Sequence, residues 1–268
     1  MSDTSPQAST AGHGPNPVPD RLPKTHKAIT EGGSALTRYQ DVMVGSRSLW
    51  RLFLFELCSW ASIVPGALGL ALRSMLFKRI LGSCGKGVVF GRNVSLLHPQ
   101  RIHLGNRVVI SDGCVLDARD PSTDNAISIG DDAILSHGVI ISAKNAKIAV
   151  GDRCGLAMAC VIQAVAGDDV TIEDDVVVGP MSYIAGGCNY NTARLDVPIA
   201  QQGSKPMGPT RVGPGCWLGS DVHILGGVTL GEHSIVGAGA VVTKPTDAFG
   251  VSGGVPAKKI GSRRPEDA

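Results

Sequence analysis

Aromatic side chains make up only 4% of the 268 residues. A core in this chain must therefore be filled by Val, Ile, Leu and Ala. Excess charge is also lacking: the net value is +2, which excludes the dense basic footprint of a nucleic-acid binder. The seven cysteines include no CxxC pair and no zinc spacing, so they read as reduced thiols, no metal is expected, and the expected location is cytoplasmic. The first 40 residues contain no apolar stretch and are rich in Pro, Ser and Thr. No secretory signal is expected from them, and residues 1–42 read as a disordered tail. No uncharged run is long enough to span a membrane comfortably. The longest, Leu57 to Leu72, is broken by Pro65-Gly66.

The apolar segment around that run still needs an explanation. Residues 49–77 read "LWRLFLFELCSWASIVPGALGLALRSMLF", with Arg47, Arg51, Arg73, Lys78 and Arg79 within or beside them. Residues 43–82 thus fit either a helix pair lying on a membrane surface, a peripheral contact on its inner face, or a helical cap packed on the main domain.

From about residue 84 the chain has a period of six. Large aliphatics recur at Leu104, Ile110 and Leu116, then at Ile129, Leu135 and Ile141. The series runs on through Val150, Leu156, Ile162, Ile172, Val178 and Ile184, and closes with Val212, Leu218, Ile224, Leu230, Val236 and Val242. Each unit predicts a short strand and a turn, with three units to a triangular coil. The fold class is an all-β solenoid over residues 83–248, followed by a C-terminal extension at 249–268. Cys84, Phe90 and Leu96 suit an imperfect first coil. Side chains alternate along a strand, so the residue two before each large aliphatic also points inward. This places Cys114, Cys154, Cys160 and Cys216 inside as small core fillers, and Cys84 falls on an aliphatic position. Only Cys58 and Cys188 stand outside the pattern.

Outward positions differ by face. One face shows His103, Ser128, Ala149, Thr171, Arg211 and Thr229. A second shows Val109, Ile134, Val177 and Trp217, and a third shows Ile140, Val161, Tyr183, His223 and Val241. Two apolar outer faces call for cover by self-association. Every break in the period falls after the third strand of a coil. The longest, the loop at 185–209, contains "GGCNYNTARLDVP".

The stretch "CWLGSDVHILGGVTLGEHSIVGAGAVVTK", followed by "GVPAKKI", is very similar to the C-terminal signature of the hexapeptide-repeat acyltransferases. The resemblance covers about residues 84–261. It implies a left-handed parallel β-helix, a homotrimer and acetyl-CoA bound as co-substrate between subunits. The period alone does not determine that hand. "GKGVVFGRNV" after the apolar segment resembles a subgroup associated with surface-polysaccharide assembly. Carried over by motif, the cofactor-binding residues would be Trp217, Ser220, Ala238, Thr243, Lys244 and Lys258. Asn189, Arg194 and Asp196 would bind the acceptor, with Arg194 and Asp196 paired to shape the loop.

In that family the loop supplies a histidine that takes the proton of an acceptor hydroxyl. A common form, N-H-N-F-D-R-T-D-V-P, meets Asn189 to Pro198 here without gaps, and Tyr190 stands in the histidine's place. A gapped alignment puts Cys188 there. Candidate catalytic residues are therefore Tyr190, Cys188, His223 at the loop's root, and His137 at the corner between the apolar faces. The leading expectation is a CoA-dependent O-acyltransferase acting on a sugar hydroxyl. A trimeric scaffold that has lost turnover is the first alternative. A metal hydratase resembling γ-class carbonic anhydrases, suggested by the spacing of His98 and His103, is the second.

Overall fold

The protein was analysed as a computed structural model, which describes residues 33–119 and 123–264. Of the expected tail, residues 1–32 lie outside the described residues. Its last part is ordered: Ser34 caps the short helix α1 (Ala35–Tyr39) by accepting the Thr37 N–H at 3.1 Å. The apolar segment forms two helices, α2 (Leu49–Ile63) and α3 (Gly66–Leu76). Pro65 separates them, since its ring cannot continue the first helix and suits the start of the second.

The remaining chain is a parallel β-solenoid of about seven turns, consistent with a left-handed β-helix. Three sheets form its sides, and successive strands in each come from successive coils. Stacking keeps the six-residue register. Leu104 pairs with Ile129, Ile129 with Val150, Val150 with Ile172, and Ile172 with Val212. Each aliphatic therefore sits on its own kind, and the column is closed to water. Phe90, Ile110, Leu116, Leu135, Ile141 and Ile162 are fully buried.

The cysteines behave as fillers. Cys114, Cys154, Cys160 and Cys216 are buried, and burial pushes the Cys154 thiol up to about 11. Cys58, which the repeat left unexplained, packs from α2 against the same core, and burial raises its thiol to about 12.

The corner between the first and second sheets explains the recurring Asn and Asp of the turns. Each such side chain accepts a backbone N–H from the preceding coil. Asn106 N–H donates to Asp131 at 2.7 Å, Asp131 N–H to Asp152 at 2.7 Å, and Asp152 N–H to Asp174 at 2.9 Å. The ladder requires glycine beside it: a Cβ at Gly130 or Gly151 would collide with the carboxylate of the next coil.

Two expectations change. The first coil is not imperfect, because Ser83–Cys84, Val89–Phe90 and Ser95–Leu97 pair with the second coil in full register. The residues after 248 are not simply an extension, because Gly250–Gly253 continues the second sheet in parallel and Lys258–Ser262 returns antiparallel on it.

The helices plug the open end of the first coil. Phe77 packs edge-on against Phe90 with ring centroids 5.1 Å apart. Arg73 is 3% exposed and spends its guanidinium on backbone carbonyls of Phe90, Ala61 and Val64 at 2.7–3.3 Å. A buried cation satisfied in this way locks two helices and a strand together.

Candidate active site

All insertions leave the corner between the third and first sheets, and the longest follows the strand Tyr183–Gly186. Two buried polar side chains pin its base. Asp168 accepts the N–H groups of Met207 at 2.7 Å and Gly208 at 3.0 Å. Thr210 donates its hydroxyl to the Ala185 carbonyl at 2.6 Å and accepts the Gly227 N–H at 2.9 Å. Gly187 turns the chain at positive φ directly against Asp168, where a larger residue would meet the Val165 carbonyl and that carboxylate.

Beyond its base the loop is a two-stranded arm. Asn191 N–H donates to Gly203 O and Lys205 N–H to Asn189 O. Arg194 forks onto Asp196 at 3.0 and 2.6 Å, the pairing expected from the sequence. Gln202 ties the backbone of Arg194 and Val197 across the arm. Asn189 donates to the Met207 sulfur at 3.4 Å. Leu195 at the tip is 98% exposed.

Three of the named groups meet at the loop's root on the third face. Tyr183 and His223 are direct partners in adjacent coils, with ring centroids 6.1 Å apart. Cys188 lies beside the Tyr183 hydroxyl, which donates to Gln163 Oε1 at 3.0 Å. Burial first, then the neighbouring Cys188, pushes the Tyr183 hydroxyl well above its ordinary range, so it stays a donor. His223 Nε2 lies 3.2 Å from Asp221 Oδ1. That contact fixes the ring and leaves Nδ1 as its other proton-carrying position.

Tyr190 is not in this cluster. Its backbone bridges Ser204 in the arm and its side chain is exposed. His137 lies elsewhere: it sits on the turn between the second and third sheets, three coils before His223, about 14 Å along the prism. It lines a groove of about 360 Å³ with Leu70, Arg73 and Asp112. Asp112 is held below the usual carboxylate range by the Arg92 backbone N–H and then by its guanidinium, with His137 a smaller influence.

The expected cofactor residues divide into two groups. Trp217 lies exposed on the second face, Ser220 and Ala238 follow at its far corner, and Lys258 is on the terminal hairpin of that sheet. Thr243 and Lys244 lie across the third face at the loop's corner. Lys244 and Lys258 are exposed and form no ion pair among the described residues. Trp217 offers a surface for stacking or apolar contact, and the two lysines suit an anionic ligand. His98 and His103 do not converge. His98 is buried against Asp41 O and Arg101, whereas His103 bonds Ser83 and Asp124 O. Among the described residues, no group of three or more His, Cys, Asp or Glu is placed to hold a metal.

Asp221, Gln163, Asp168 and Thr210 were not singled out from the sequence. Asp221 carried a signal, two residues before His223 at the same turn. Asp168 and Thr210 carried none, because their partners are up to 40 residues away.

Residues 209–244 match the family model of the bacterial transferase hexapeptide, six repeats. The chain is 31% identical over 126 residues to a probable acetyltransferase of Mycobacterium tuberculosis, covering 46% of this chain and 40% of that protein. It is 38% identical over 69 residues to a chloramphenicol acetyltransferase of Agrobacterium fabrum, covering 26% of this chain and 33% of that one. The matched segments thus span well under half of either relative. Among solved structures, an N-acyltransferase from Bacillus cereus in complex with an amino sugar nucleotide and coenzyme A aligns with a TM-score of 0.48 at 19% identity. That alignment covers 68% of this chain and 83% of the other.

Proposed function

We propose that this hexapeptide-repeat chain is an acyl-CoA-dependent O-acyltransferase, a homotrimer that moves an acetyl group from acetyl-CoA to a sugar hydroxyl during polysaccharide assembly. The observation that carries the reading is His223, held by Asp221 at the root of the long loop and beside the Tyr183 ring. The matched acetyltransferases support acyl transfer, and the closing motif supports acetyl-CoA as donor.

In this reading His223 takes the proton of the acceptor hydroxyl as its oxygen attacks the thioester carbonyl. The carbon–sulfur bond then breaks, and the same proton leaves with the CoA thiolate. Tyr183, whose single hydroxyl proton goes to Gln163, lines the acceptor side next to His223. Asn189 and the Arg194–Asp196 pair shape the acceptor side. Trp217, Ser220, Ala238, Thr243, Lys244 and Lys258 hold the donor, drawn from two subunits because one protomer presents them on different sides of a face. The arm with Leu195 at its tip reaches the neighbouring subunit. Val109, Val161, Val177, Trp217 and Val241 contribute the interface, and Val161→Asp should disperse the assembly in sedimentation.

The test is a transfer assay with acetyl-CoA and a panel of sugar acceptors. His223→Ala should lower kcat by about 10²-fold or more, while Tyr190→Phe changes mainly the acceptor KM. Full transfer by His223→Ala would overturn this assignment. An acyl group trapped on Cys188 by mass spectrometry would give the thiol the role of nucleophile instead. The loop has no histidine of its own, which favours one other reading: a scaffold that binds CoA without turnover. Wild-type protein that binds CoA and transfers nothing to any acceptor would establish it.

A further inference from the structure

The sides of α2 and α3 that face away from the solenoid carry almost no charge. On α2, Leu49, Phe53, Trp60 and Ile63 are exposed, and their spacing puts them on one face. The charged residue among them, Glu56, accepts the Tyr39 hydroxyl at 2.6 Å. On α3, Leu68 and Met75 are exposed, and its single charge, Arg73, is buried in carbonyl contacts. These apolar groups are not needed for the plug, which uses Cys58, Ala61, Leu76 and Phe77 on the other side.

The rim of this face is basic. Residues 33–82 hold six Lys and Arg against two Asp and Glu, whereas the rest of the chain holds 19 against 21. Both acids are engaged, Glu56 by Tyr39 and Asp41 by Arg47. Lys78 and Arg79 are exposed just past the end of α3, while Arg51 is exposed on the side of α2 that carries buried Phe55 and Cys58. No helix among the described residues is long and apolar enough to cross a membrane. An apolar helical face with a cationic border and insufficient length to span is the pattern of a helix lying in the headgroup layer.

We propose that the outward face of α2 and α3 docks on the anionic surface of a lipid bilayer, with Phe53, Trp60, Ile63 and Leu68 entering the headgroup boundary and Lys78 and Arg79 meeting lipid phosphates. A second copy is a poorer occupant. Two identical faces brought together would set their basic rims against each other. Residues 1–32 offer few large apolar side chains, chiefly Val18, Leu22 and Ile29, too few to cover the face.

The experiment is flotation of the full chain with vesicles of phosphatidylcholine alone and of phosphatidylcholine mixed with phosphatidylglycerol. The wild type should float with the mixed vesicles and far less with the neutral ones. Neutralising Lys78 and Arg79 to Gln should cost about fivefold in partition for each charge, about twenty-five-fold together. Phe53→Glu with Leu68→Glu should remove binding to either vesicle while the melting midpoint stays at the wild-type value. Wild type that ignores mixed vesicles, or a double variant that floats as well as wild type, overturns the proposal. If the double variant instead lowers the sedimentation coefficient of lipid-free protein, the face belongs to a contact between copies and the proposal also fails.

Discussion

Two corners of the prism are built from the same six-residue unit and have opposite characters. At the corner between the first and second sheets every turn is short, and Asn106, Asp131, Asp152 and Asp174 form a ladder from coil to coil. At the corner between the third and first sheets, turns vary in length and one grows into the arm at 187–209. At the ladder corner the N–H groups of Asn106, Asp131 and Asp152 go to side chains one coil away and those of Arg107, Asp132 and Arg153 to carbonyls of the neighbouring coil, so an added residue breaks several bonds at once. At the loop corner buried Asp168 and Thr210 fasten the base, and residues beyond that point are free of the coil's geometry. Regular corners hold the solenoid in register, and the irregular corner carries the long loop, as expected where loops stand on a rigid scaffold.

Insertion tests this contrast most strongly. Gly-Ser-Gly placed between Asp152 and Arg153 removes the Asp131 and Asp152 ladder bonds and the Arg153 N–H bond to Asp131 O. At about 0.5–1.5 kcal/mol for each hydrogen bond lost, a loss of about 2–4 kcal/mol and a clear fall in Tm are expected. The same insertion after Thr192 lengthens an already long loop, worth well under about 1 kcal/mol, and the melting curve should barely move.

Next in size is Asp168→Ala, which releases the N–H groups of Met207 and Gly208. The arm should loosen, with transfer falling at least about tenfold in kcat/KM and faster proteolysis confined to residues 187–209. Asp168→Asn, which keeps one acceptor oxygen, should restore part of both. If stability falls but the arm stays protected, Asp168 belongs to the coil and not to the loop.

Thr210→Val keeps the shape and removes both hydroxyl bonds. It should cost about 1–3 kcal/mol, read as a shift of the urea midpoint with an unchanged slope.

The smallest effect concerns acid. Asp132 and Asp175 are held below the usual carboxylate range by Arg107 and Arg153, and Asp196 by Arg194. Depressed folded values stabilise the fold above the unfolded value near 3.9, and that stabilisation is lost as pH falls through the folded values. Tm should thus hold steady from pH 7 to about 5 and decline only below about 4. The step should be small, because exposed pairs are weak, and Arg153→Gln and Arg194→Gln should each reduce it.

Much of the fold was legible in the residues. The period of six places Leu104, Ile129, Val150 and Ile172 in one column, and the column is there. The alternation predicts Cys114, Cys154, Cys160 and Cys216 inside, and they are. The face that joins Tyr183 to His223 was legible from coil arithmetic. The loop was less so. A gap-free alignment favoured Tyr190, yet its side chain is exposed on the arm while Cys188, two residues earlier, turns back at positive φ beside Tyr183.

The sequence by itself determined the solenoid, its corners, the interior thiols and the exit point of the loop. All of these follow from side-chain alternation and a fixed repeat, which are local properties. Only the tertiary structure decided that Arg73 is the buried clamp of the helical plug, that Asp168 and Thr210 fasten the loop, and that the helices leave an apolar face outward. Each of these depends on groups far apart in the chain or on which side of a helix is covered. No local pattern encodes such pairings, because it is the packing of the coils that brings the partners within hydrogen-bond reach.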